Sequence, residues 1–75
     1  MTATVLRIDE GFACIQRETR DYRTFWTGTA ELRGRSWALG NHCHESAAVA
    51  RAYEIIRRAE SIARTRVRMQ RRIQG

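Results

Sequence analysis

The 34 residues between Gly40 and Gly75 contain neither glycine nor proline. Those two residue types are the strongest local interrupters of regular structure. From Ser46 onward the stretch is rich in Ala, Arg, Glu and Ile, residues that favour or tolerate a helix. It therefore reads as a single long helix over about residues 45–73. Placed at 100° intervals, Ala48, Ala52, Ile55, Ala59, Ile62, Met69 and Ile73 form one apolar seam flanked by Val49, Ile56, Ala63 and Val67. Arg57, Arg58, Arg64, Arg68 and Arg72 fall on the opposite side. Glu54–Arg58 and Glu60–Arg64 are spaced as (i, i+4) pairs in the favourable order.

Four of the five glycines, at 11, 28, 34 and 40, lie in the first part of the chain, which has no proline either, so glycine alone punctuates it. Thr4–Ile8 and Phe12–Gln16 are β-branched or aromatic runs separated by Asp9-Glu10-Gly11, which has the composition of a three-residue hairpin loop with glycine in the left-handed position. Glu18–Asp21 is a polar break before the strand-like Tyr22–Thr27. Leu32-Arg33-Gly34-Arg35 turns the chain into a short last strand, Ser36–Leu39. The expected fold is α+β: a three- or four-stranded antiparallel meander over about residues 3–40, packed on one long C-terminal helix, as a single domain of 75 residues.

Geometry then poses a problem. A helix over 46–73 runs about 42 Å, whereas a strand of usual length covers only ~17–20 Å. The sheet leaves part of the seam uncovered, so either the last turns fray or the seam packs on another chain. Ile55, Ile62, Met69 and Ile73 are the candidate homodimer or partner interface, although Arg66 interrupts the coiled-coil pattern.

All 14 basic residues are arginine, and their placement says more than their number. Residues 1–50 hold six arginines and six acids, while residues 51–75 hold eight arginines and two acids, so the entire +6 charge belongs to the last third. Arginine pairs bidentately with phosphates and carboxylates and stacks on base or aromatic faces. Such a distribution points to an anionic partner, either nucleic acid or an acidic protein surface.

Catalysis fits the chain poorly, because an ordinary cleft would have to be cut from one small core. His42-Cys43-His44, even with Cys14, matches no common zinc spacing. It reads as a polar loop with His44 or Ser46 near the helix N-cap, so no catalytic residue, metal or cofactor is expected. No apolar run approaches the length of a membrane span, and the N-terminus lacks the layout of a signal peptide. The expectation is a cytoplasmic protein without a membrane partner and with reduced cysteines.

Arg23, Phe25, Trp26, Glu31, Arg33, Arg35 and Trp37 crowd one segment. Alternation along strands would send some of them to the sheet face away from the helix, whereas at least two of Phe25, Trp26 and Trp37 are expected in the core. Within this segment "AELR" (30–33), "RSW" followed by "LG" (35–40) and "ARAYE" (50–54) occur in an order that resembles the plant ethylene-response-factor (Apetala) DNA-binding domain, also found in phage endonucleases and integrases. The likeness spans Asp21 to Glu54. It implies a three-stranded sheet on one helix, with the sheet laid in the DNA major groove, and contacts from Arg23, Glu31, Arg33, Arg35 and Trp37. The sequence departs from that family at Phe25, where the family has Trp, and in a shorter turn around Gly34, which alters strand register.

The leading expectation is thus a small nucleic-acid-binding module of phage or mobile-element type, duplex DNA before RNA, reading through those five residues with Arg57, Arg58, Arg64 and Arg68 on the backbone. The alternative is a small phage-encoded inhibitor, of anti-defence or anti-CRISPR type, that binds protein as a homodimer.

Overall fold

A computed structural model describes the backbone of residues 3–74 and the side chains of residues 3–65. Four strands, β1 (Ala3–Ile8), β2 (Gly11–Arg20), β3 (Arg23–Leu32) and β4 (Arg35–Ala38), precede one helix, α1 (Glu45–Gln74). The sheet is an antiparallel meander in the order β1-β2-β3-β4, with α1 on one face.

The two central strands run ten residues each, well beyond the usual length, because most of what reads as a polar break, Glu18–Arg20, is the continuation of β2. The turn there is only Asp21-Tyr22, with Arg20 directly opposite Arg23. The first hairpin also differs from the three-residue loop its composition suggests. Ile8 pairs with Gly11, the turn is Asp9-Glu10, and the left-handed residue is Asp9 at φ 52°. Gly11 serves packing instead: a β-carbon there would stand 2.5 Å from the Glu31 carbonyl oxygen and press on Leu32 and Ile56.

The helix-facing side of the sheet is built from small residues, Gly11 and Ala13 on β2 and Ala30 on β3, under Ala48 and Ala52 of α1. Small residues on both sides let the helix sit close. Ile8, Ile15 and Leu39 complete the core, and Leu6, Trp26, Val49, Tyr53 and Ile55 pack on its margin. The close approach also decides the roll of the helix. Ala48, Ala52 and Ile56 are fully buried, and Glu60 follows at 9% exposure, so the buried row steps by four residues. Ile56 drops into the space that Gly11 leaves, which displaces Ile55 to a half-buried flank and leaves Ile62 at 49% exposure. The seam centred on Ile55 and Ile62 is therefore corrected to one centred on Ile56.

His44 caps the helix, its carbonyl accepting from the Ala47 and Ala48 amides. Ahead of it, His42 and Trp26 exchange both backbone hydrogen bonds at 2.8 and 2.9 Å, and His42 Nε2 lies 2.7 Å from the Leu39 carbonyl oxygen. The polar loop is thereby pinned to β3.

At 30 residues α1 is about 45 Å long and outreaches the sheet. The molecule measures 59 × 17 × 16 Å, and its radius of gyration, 15.5 Å, exceeds the ~11 Å of a compact chain of this length. No helix of the described residues is long and apolar enough to cross a membrane.

Candidate functional site

Two depressions flank α1 where it passes the turns Asp9-Glu10 and Arg33-Gly34. Their charges differ. On the β1–β2 side a cleft of about 490 Å³ sets Arg33, Arg57 and Arg64 against Asp9, Glu10 and Glu60. Arg33 donates to Glu10 Oε2 at 2.8 Å, and that hydrogen bond, with the charge behind it, holds the Glu10 carboxyl below the usual carboxylate range. Arg57 lies over the Tyr53 ring, 5.2 Å from its centroid. Three cations face three acids here, and the cleft is balanced.

On the β4 side a groove of about 530 Å³ has an apolar floor of Leu32, Trp37, Ile55, Ala59, Ile62 and Ala63. Arg33, Arg35, Arg51 and Arg58 rim it, with Glu54 as the single acid. Arg51 donates to Glu54 Oε1 at 3.0 Å, an (i, i+3) pair that takes the place of the Glu54–Arg58 pair expected from spacing. Glu60 likewise sits in the cleft without an ion pair to Arg64. Among the described residues, Arg35 and Arg58 have no carboxylate within ion-pairing distance.

Strand register explains how Arg35 and Trp37 come to line this groove. The β3–β4 turn holds two residues, Arg33 at φ 51° and Gly34 at φ 80°, so Leu32 pairs with Arg35 and Ala30 with Trp37. Directly paired residues share a face. Because Leu32 and Ala30 are buried under the helix, Arg35 and Trp37 face it too.

The five residues implied by the family resemblance are thus divided. Arg23 and Glu31 lie on the open face with the half-buried Phe25, Arg33 sits in a turn, and Arg35 and Trp37 are on the helix side. Trp26 also faces the helix and packs on the core. The helix arginines are divided as well, Arg57 and Arg64 bordering the balanced cleft and Arg58 the groove. Ile55 and Ile62 share the groove floor, while the side chains of Arg68, Met69 and Ile73 lie outside the described residues. No known protein family, curated protein or solved structure matches this chain.

The sequence pattern did not single out Arg51, and it placed Glu60 only in a surface pair with Arg64. Arg51 stands seven positions before Arg58, two helical turns, and that spacing was the available signal for a shared face. Nothing in the sequence marked Glu60 as buried. Among the described residues no group of His, Cys, Asp and Glu is arranged to hold a metal ion, and Cys14 and Cys43 are free thiols.

Proposed function

We propose that this chain is a nucleic-acid-binding module that holds its ligand in the groove between β4 and α1. The observation that carries the reading is the charge excess of the groove, four arginines against the single acid Glu54 among the described residues, with Arg35 and Arg58 unpaired on either side of an apolar floor containing Trp37. Guanidinium groups left uncompensated at a rim take phosphate oxygens, and an aromatic surface between them suits a base or sugar. The reading involves binding alone, with no reaction and no cofactor.

The test is a titration of labelled 20-base-pair duplex and 20-nucleotide single strand at several salt concentrations. Arg35→Ala with Arg58→Ala is expected to weaken binding and to flatten the slope of log affinity against log salt by roughly 0.7–0.9 per arginine. Arg57→Ala with Arg64→Ala, in the balanced cleft, is expected to change it less. Equal losses from the two pairs would overturn the assignment to the groove.

A second reading follows from Ile62, half exposed beside Ile55 on the same floor. In it the groove takes an apolar helix face from a second copy or from an acidic protein, as an inhibitor would. Light scattering of nuclease-treated protein separates the two, since a dimer that Ile62→Ser dissociates, with no affinity for either oligonucleotide, favours the protein-binding reading.

A further inference from the structure

The far end of the β2–β3 hairpin carries features that the groove does not use. Among the described residues β1 pairs with β2 as far as Gln16, and the Trp26–His42 bridge is the last pairing of β3 on the β4 side. Beyond that bridge Glu18–Phe25 is, among the described residues, a two-stranded ribbon closed by Asp21-Tyr22. Both turn residues have positive φ, 52° and 63°, the pattern of a type I′ turn. That turn type favours Asn-Gly. Aspartate tolerates the left-handed region, but a bulky residue does so only under strain. The β3–β4 turn shows the unstrained solution, with Gly34 in the equivalent position.

Nothing in the fold compensates for tyrosine there, because Tyr22 is fully exposed. A second unfavourable arrangement lies beside it. Arg20 and Arg23 are directly opposed across the ladder, an arrangement in which like charges repel. Asp21 is adjacent, yet among the described residues neither arginine forms an ion pair, and Glu18 accepts instead from Gln16 at 3.0 Å. A strained, fully exposed aromatic between two uncompensated guanidinium groups suits an external anion with a flat apolar face.

We propose that this hairpin tip is a second nucleic-acid contact, with Tyr22 packing on a base or sugar while Arg20 and Arg23 take flanking phosphates. The inference rests on the reading of the groove and adds a requirement of length. The tip and the Arg33-Gly34 turn stand at opposite ends of the ten-residue β3, about 30 Å apart. A ligand that touches both is an extended polyanion and not a single nucleotide.

The deciding variant is Asp21→Asn with Tyr22→Gly, which gives the turn its preferred residues. It is expected to raise the thermal midpoint and at the same time weaken binding of the 20-base-pair duplex or the single strand about fivefold, the change that ~1 kcal/mol of lost stacking corresponds to. Unchanged affinity, or a midpoint that fails to rise, overturns the proposal. Arg20→Thr with Arg23→Thr, which keeps strand-forming residues in the ladder, gives an independent reading: a smaller salt slope is expected, and an unaltered slope overturns it. If the hairpin variants bind normally while Arg35→Ala with Arg58→Ala does not, the groove stands and this inference falls. If wild-type protein binds neither oligonucleotide, both fall.

Discussion

Ile56 packs over Gly11 of β2 in the core cluster that also holds Ala13, Ile15 and Ala30, with none of its surface exposed. Truncating it leaves a cavity that the neighbouring backbone cannot fill, so Ile56→Ala is expected to destabilise the fold by about 2–4 kcal/mol, against roughly 1 kcal/mol for Ile55→Ala on the half-buried flank. Chemical denaturation of the two variants checks the order. A larger loss at Ile55 would mean that the helix is rolled differently. The contrast also marks what a sequence can tell at this scale. Periodicity located an apolar stripe, but the choice between adjacent isoleucines depends on a glycine 45 positions away whose missing side chain makes room for one of them. In the same way Arg35 and Trp37 were recognisable as chemistry-bearing residues, while the face they occupy was set by the length of a turn.

At the scale of elements, the helix, the meander and the closing Gly34 turn were readable from residue type and spacing. The length of β2 and β3 was not, because Glu18–Arg20 is polar for a reason unrelated to breaking a strand: it belongs to the outer part of the β2–β3 hairpin, where its side chains are exposed or half-buried. The turns are also tied together. The Arg33–Glu10 pair joins the β3–β4 turn to the β1–β2 turn at 2.8 Å. A carboxylate whose folded-state pKa is lowered contributes stability above its unfolded pKa and loses it as pH falls through the folded value. The contribution of Glu10 is therefore full at neutral pH and is lost only on acidification beyond the ordinary glutamate range, as pH falls through its lowered value. With both side chains well exposed the effect is small. Glu10→Gln is expected to flatten the acid limb of the thermal midpoint against pH and, by releasing Arg33 at the groove rim, to strengthen nucleic-acid binding. Weaker binding by that variant would place Glu10 among the contacts.

For the molecule as a whole, sorting the charge mattered more than summing it. The sequence assigned the +6 to the last third, and among the described residues the fold sets Arg57 and Arg64 in a cleft that holds three acids and Arg51 and Arg58 in a groove that holds one, on opposite flanks of one helix. Neither flank was visible in the composition, since the acids of the cleft, Asp9 and Glu10, come from a hairpin some 50 residues from Glu60.

The neighbour-to-neighbour strand order has a kinetic meaning. Each pairing closes over a two-residue turn, so no large loop entropy opposes assembly of the sheet, and only the docking of α1 joins distant parts of the chain. Refolding is expected within milliseconds and in one phase, followed through Trp26 and Trp37 fluorescence, and a phase lasting seconds would contradict it. The zipper-like order also makes the helix the last gatekeeper of the native state: until its alanines settle on the small-residue floor, the strands have no apolar layer to hold them.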